Sequence, residues 1–184
     1  MKVTFVTGNQ HKADKTAQLL GRELDHAKVD LDELQTTNMS ELAEHKVRQA
    51  YDVLRVPVMI DDFGLAFDAL DGLPGPFVKF FVDADDGLKN MCRMIDSFDN
   101  RKARTVCVMA FYDGKALKVF EKRMEGSIAE HPVGLNGIGT DQIFIPKGYG
   151  KTRAQLDDEQ YDEVYRKVRP LNELKEFLDE YYDE

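Results

Sequence analysis

The run Val56-Pro57-Val58-Met59-Ile60, followed at once by Asp61-Asp62, constrains this chain more than any other segment. A short continuous apolar run reads as a strand buried on both faces, and such strands belong to sheets covered by helices. Pro57 sits at its first position, where a strand tolerates proline. Asp61 and Asp62 then fall at the carboxyl end of the strand, the place where open α/β sheets bind ligands. Adjacent strand residues face opposite ways, so one carboxylate of the pair is expected to face a ligand cleft. The bland alternative is that both cap the turn before Gly64.

The flanking pattern fits that reading. A strand is expected at about 2–6, closed by Thr7-Gly8-Asn9, and a helix at about 11–22. A short strand follows around 27–31, and a helix at about 39–54 carries Ala43, Val47, Ala50 and Leu54 as one stripe at helical spacing. Beyond Gly72-Leu73-Pro74-Gly75-Pro76, the aromatic segment Phe77–Val82 is expected to turn into helix, with another helix at about 85–97. Two antiparallel strands, about 103–112 and 116–124, flank the turn Asp113-Gly114, and a last helix carries Leu171, Leu174 and Leu178 behind Pro170. Strands alternating with helices, plus one antiparallel pair, predict an α/β fold with a mixed β-sheet and flanking helices. No repeat or linker divides the 184 residues, so a single domain spanning 1–184 is expected.

Charge narrows the partner. With 25 Lys and Arg against 34 Asp and Glu, the net charge of −9 argues against coating a nucleic acid polymer, which needs a basic face. A small phosphorylated substrate remains compatible, since a few lysines and a divalent cation suffice to hold it. No apolar stretch is long enough for a membrane span, and the first residues lack the apolar core of a signal peptide. Two cysteines, Cys92 and Cys107, are too few for a disulfide framework, so a cytoplasmic location is expected.

Several segments carry residues suited to phosphate chemistry. Thr7-Gly8-Asn9-Gln10-His11-Lys12 lies between the first strand and the first helix, where unpaired N–H groups and partial positive charge favour anions. Gly8 permits close backbone approach, Thr7 and Asn9 offer short polar groups, and Lys12 adds charge. The competing reading makes Asn9 a simple helix cap. Asp62 is a candidate metal ligand or water-positioning carboxylate, and Glu33, within the acidic stretch Asp30–Glu33, is a candidate second ligand. Lys46 and Lys79 sit beside apolar residues, so each either extends to water or reaches an anion. The histidines show no metal-ligand spacing.

The order of these segments is more specific than any one of them. Thr-Gly-Asn-x-x-Lys at 7–12, Asp-Leu-x-Glu at 30–33, Lys46, Asp-Asp-x-Gly-Leu at 61–65 and Gly-Leu-Pro-Gly-Pro-Phe-x-Lys-x-Phe at 72–81 follow one another. Gly139-x-Asp141 then leads to Ile143-Phe144-Ile145-Pro146-x-Gly148-Tyr149 and Lys151-Thr152-x-Ala154. In this order the chain resembles the inosine triphosphate pyrophosphatase family, which acts on non-standard purine nucleoside triphosphates. The resemblance implies an elongated two-lobed α/β fold with a central cleft, usually as a homodimer. It also implies hydrolysis of a nucleoside triphosphate to the monophosphate and pyrophosphate with Mg2+, Mn2+ being a substitute. Matched position by position, it places Thr7, Gly8, Asn9 and Lys12 on the triphosphate loop and Lys46 and Lys79 on phosphate-contacting lysines. Glu33 and Asp62 fall on the metal-binding and catalytic carboxylates, with Lys12 assisting.

The chain departs from the family mainly at the base end. Where the family has an aromatic residue, Gly, Trp or Tyr, then Asp, this chain has Ile138-Gly139-Thr140-Asp141. In an ungapped register, Tyr161 falls where the family has a base-reading Lys, and Tyr165-Arg166-Lys167 where it has Ser-His-Arg. Gly139, Asp141, Arg166 and Lys167 are therefore the candidate base-end residues, and Phe63 replaces a small hydroxyl residue after the catalytic Asp. A site that loses donors for a 6-oxo purine loses the discrimination they give. The expectation is retained triphosphate machinery with changed or relaxed base preference. Two alternatives are a pyrophosphatase specialised for a standard or modified dNTP and a nucleotide-binding sensor without turnover.

Overall fold

The computed structural model describes residues 2–182, so Asp183 and Glu184 of the acidic tail lie outside the described residues. In chain order the elements are β1 (Val3–Val6), α1 (Gln10–Leu20), β2 (Leu24–Ala27), α2 (Met39–Leu54), β3 (Val58–Phe67) and β4 (Pro74–Gly75). They continue with α3 (Val78–Val82), α4 (Gly87–Met94), β5 (Lys102–Tyr112), β6 (Leu117–Ile128), β7 (Phe144–Pro146), α5 (Asp158–Val168) and α6 (Leu171–Tyr182). The strands form one mixed sheet in the order β2-β1-β3-β5-β6-β7, with β4 paired to β3. β1 runs parallel to both β2 and β3, with Val3 opposite Leu24 and Phe5 opposite Met59. β4 and β7 run antiparallel to β3 and β6 respectively. The mixed α/β class read from the alternation is the one observed.

The chain divides into two compact units. One comprises the residues up to Asp62, Val108–Glu121 and the residues from Arg169 on. Its core gathers Val3, Phe5, Ala13, Leu20, Met59, Met109, Phe111, Leu171, Leu174 and Leu178, all buried. The apolar stripes of α1 and α6 supply the helical share of that core, and β1, β3 and β5 supply the strand share. The other unit comprises Phe63–Cys107 and Lys122–Val168. Its core is built from Leu65, Phe67, Val78, Met91, Cys92, Ile95, Ala103, Ile128, Ile143 and Phe144.

Three elements differ from the sequence expectation. The apolar run does not stop at Asp61-Asp62: β3 continues through both carboxylates to Phe67. A strand can carry two charges in its middle when each finds a partner, as both do here. β2 lies at 24–27 rather than 27–31, and it reads weakly because its ladder residues are only part-buried or exposed. α5 has no counterpart in the sequence reading, because only Val164, Tyr165 and Val168 of its eleven residues are buried. No described helix is long and apolar enough to cross a membrane.

The β5–β6 turn shows how local chemistry fixes the sheet. Gly114 has φ of 90°, and a Cβ there would lie 2.2 Å from the Tyr51 hydroxyl, so no other residue fits without displacement. Asp113 Oδ1 accepts from the amides of Lys115 (2.9 Å) and Ala116 (2.8 Å), and Oδ2 accepts from the Tyr181 hydroxyl at 3.1 Å. Burial pushes the Asp113 carboxyl upward, but these bonds outweigh it and leave it below its ordinary value. A carboxylate lowered by folding adds stability above its unfolded pKa of about 3.8 and loses it as pH falls through the folded value. Asp113→Ala should therefore cost about 1–2 kcal/mol at neutral pH. Urea titrations should show that difference shrinking by about pH 3.

Candidate active site

The first unit brings four of the charged sequence candidates, Lys12, Glu33, Lys46 and Asp62, into one neighbourhood. The loop after β1 is shaped by its own side chains: the Asn9 amide donates to Thr7 Oγ1 at 3.2 Å, and Asn9 Oδ1 accepts from the Lys12 amide at 3.1 Å. Asn9 is thus the N-cap of α1. Gly8 is exposed, and no atom lies within 4 Å of where its Cβ would be, so the backbone there is open to a ligand. Lys12, one turn into α1, extends its ammonium to Asp61, 2.8 Å from the backbone carbonyl and 3.2 Å from Oδ2.

The alternation of β3 assigns the two aspartates to different partners. The Asp61 side chain is fully buried, and its Oδ2 also accepts from Arg169 Nε at 3.1 Å. Asp62 faces the other way, with Oδ1 accepting from Lys46 Nζ at 2.7 Å. Lys46 reaches Glu33 as well, at 3.5 Å, so one ammonium joins carboxylates from two separate segments. The other Asp62 oxygen, Oδ2, is buried without a hydrogen-bond partner.

Glu33 is exposed and lies on a loop, yet it is not left to chance. Gln49 and Asp32 hold each other reciprocally, amide to Oε1 and Nε2 to Oδ2, both at 2.8 Å. Gln49 and Lys46 are three residues apart on α2 and share a face, so the helix that pins Asp32 also meets Glu33. α2 is itself fixed by its buried stripe Leu42, Ala43, Val47 and Ala50, and by the Asn38 cap accepting from the amides of Ser40 and Glu41.

The electrostatics follow from this packing. Burial pushes the Asp62 carboxyl above its ordinary value against the opposing pull of Lys46 and Lys12. Burial alone would lower Lys46, but Asp62 and Glu33 outweigh it and hold its ammonium above the ordinary value. Two carboxylates around one position, with an unpartnered buried oxygen, suit a hard divalent cation of the Mg2+ type. Among the described residues no group of three or more His, Cys, Asp or Glu could hold a metal alone. Two protein carboxylates plus water and phosphate oxygens is the usual arrangement for Mg2+.

In the second unit the remaining candidates are spread out. Lys79 on α3 is 73% exposed and pairs with Asp83 one turn on, so it extends to the surface and does not reach a buried anion. Asp141 is buried and held on both oxygens: Oδ1 accepts from Arg153 Nη1 at 2.9 Å, and Oδ2 from the Tyr161 hydroxyl at 2.8 Å and the Ile138 amide at 3.1 Å. The Arg153 guanidinium lies over the Tyr161 ring at 4.5 Å and near that of Tyr165 at 5.7 Å. Gly139 stands in the loop that Asp141 ties down, with φ of 56°. Arg166 is exposed, and exposed Lys167 pairs with Glu163 at 2.6 Å. Cys92 and Cys107 are buried and in no disulfide, and burial pushes the Cys92 thiol up to about 11, which suits packing and not nucleophilic attack.

The model of the Ham1 family matches residues 3–177. The chain belongs to the Ham1 family. It is similar to inosine triphosphate pyrophosphatase 2 of Trypanosoma cruzi (strain CL Brener), 38% identical over 178 residues that cover 95% of this chain and 90% of that one. It is similar to the dITP/XTP pyrophosphatase of Methanopyrus kandleri, 33% identical over 181 residues, with 96% and 95% covered. Among solved structures, a HAM1 protein from Coxiella burnetii aligns with TM-score 0.86 and 26% identity over 98% of this chain and all 100% of the other. The Staphylococcus aureus Ham1 protein gives TM-score 0.84 and 27% identity, covering 97% and 98%.

Sequence reasoning missed Asp61 as an anchor and Arg169 beside it in the first unit, and Arg153 on Asp141 in the second. The signal for Arg169 was a lone cation inside the run Val168-Arg169-Pro170-Leu171, whose neighbours are all buried. A buried carboxylate joined to two cations is costly to disturb. Arg169→Met should cost about 3–5 kcal/mol of stability, read as a lower urea midpoint at unchanged slope. A loss below about 1 kcal/mol would show that the cluster does not anchor Lys12.

Proposed function

We infer that this protein is a metal-dependent nucleoside triphosphate pyrophosphatase, cleaving between the α- and β-phosphates to release a nucleoside monophosphate and pyrophosphate. One observation carries the reading: Glu33 and Asp62, from separate segments, meet a single cation, the Lys46 ammonium. The names of the relatives support the same activity class. The protein is inferred to act as a cytoplasmic homodimer, as the family resemblance implies.

Each residue has a distinct task. The exposed loop Thr7-Gly8-Asn9 offers backbone and short side chains to phosphate oxygens, with Lys12 and Lys46 supplying positive charge where the leaving pyrophosphate gains negative charge. Glu33 and Asp62 would hold Mg2+, or Mn2+ in its place. When bound, that ion neutralises phosphate charge and acidifies water. Asp62 orients the attacking water toward the α-phosphorus and takes its proton, while the bond from that phosphorus to the bridging oxygen breaks.

The base end supports a changed or relaxed preference. Tyr161 donates to Asp141, Tyr165 is buried near Arg153, and Asp141 is held on both oxygens by the protein itself. Tyr161 and Asp141 are committed to one another, so the donors left at this end to reject a wrong base are few, chiefly Arg153 Nε and Nη2, which are buried without a hydrogen-bond partner. Purified protein should release pyrophosphate from ITP, XTP, dUTP and the four standard dNTPs with kcat/KM values within about two decades. Strong, exclusive use of ITP and XTP would contradict the relaxed preference. Asp62→Asn should lower kcat by about 100-fold or more with nucleotide binding largely kept. Wild-type protein that binds nucleotides but never turns them over would overturn the enzymatic reading.

A further inference from the structure

We propose that Lys46 is the built-in competitor of the divalent cation: its ammonium occupies the position between Glu33 and Asp62, and it thereby sets the metal affinity of the nucleotide-free protein. The inference rests on the reading of Glu33 and Asp62 as the metal-holding pair. Lys46 Nζ lies 2.7 Å from Asp62 Oδ1 and 3.5 Å from Glu33 Oε1, so the lysine bridges both carboxylates. Its side chain is only 14% exposed, and the helix that carries it is fixed by a buried stripe, so the bridge is part of the packed structure. The unpartnered, buried Asp62 Oδ2 shows that one ammonium does not satisfy the pair.

Charge counting gives the direction of the exchange. Glu33, Asp62 and Lys46 together carry one net negative charge, which draws a divalent cation. With the cation present and the lysine still adjacent, the cluster carries one net positive charge. That state is unfavourable until an anion arrives. A polyphosphate supplies the acceptor for the displaced ammonium, so metal and nucleotide should each strengthen the binding of the other, as linkage requires. Without nucleotide, metal entry must break the Lys46 bridge, and affinity is correspondingly weak.

The consequence runs against the usual effect of removing an active-site residue: deleting Lys46 should tighten metal binding. Mn2+ is titrated into nucleotide-free protein, with free Mn2+ followed by electron paramagnetic resonance, at low and at high potassium chloride. Lys46→Met and Lys46→Gln, each checked for folding by circular dichroism, should bind Mn2+ about tenfold tighter than wild type. Lys46→Arg, which keeps the charge, should remain close to wild type. The gain should persist at high salt, because a contact competitor is screened far less than a distant charge. No gain in either neutral variant, or a gain that vanishes at high salt, would overturn the proposal. Glu33→Gln and Asp62→Asn separate it from the underlying reading. If they abolish Mn2+ binding while the Lys46 variants show no gain, only the competition falls; if they leave Mn2+ binding unchanged, the metal-holding pair falls and the proposal with it.

Discussion

Neighbouring residues of a β-strand point to opposite faces, and two adjacent carboxylates in β3 therefore serve two different clusters. Asp61 is sealed inside with Arg169 and Lys12, while Asp62 meets Lys46 and, through it, Glu33. Lys12 and Lys46 are each held by one of these carboxylates. The geometry of the charged site thus descends from one feature of strand stereochemistry. A shift of one residue in the register of β3 would put one aspartate in the other's place and leave the remaining place to Ile60 or Phe63, breaking one of the two clusters.

Much of this was legible in the sequence where periodicity and turn chemistry act locally. α2 was read as 39–54 and is observed as Met39–Leu54, because its apolar stripe is strong and Asn38 marks its start. The β5–β6 pair follows from two strand-like segments on either side of the turn Asp113-Gly114. Local pattern failed where long-range partners decide. Nothing near Asp61-Asp62 indicates that Arg169, more than one hundred positions away, allows β3 to run on through both charges. α5 was invisible for the opposite reason, being mostly charged and burying only three residues.

The candidate site divides along the same line. Lys12, Lys46 and Asp62 stand beside apolar or glycine-containing segments, Glu33 stands in an acidic stretch that by itself reads as solvated, and the fold brings all four into one neighbourhood. Lys79, which falls on a family lysine, and Arg166 and Lys167, which stand where the family has other residues, all lie at the surface, two of them in ion pairs one turn along their own helices. Asp141 illustrates a further limit of sequence reading. Its position matched the family motif, yet both its oxygens are engaged by Arg153, Tyr161 and the Ile138 amide, a network no local pattern announces. The Ham1 relationship accounts for the common framework.

The central claim is that two carboxylates from different segments grip one divalent ion against a polyphosphate. Crystals grown with Mn2+ and a non-hydrolysable α,β-imido nucleotide, measured at the manganese absorption edge, address it most directly. The account predicts an anomalous peak within coordination distance of both Glu33 and Asp62, with Lys46 moved from the bridge to a phosphate oxygen. An ordered nucleotide whose manganese touches neither carboxylate would contradict it.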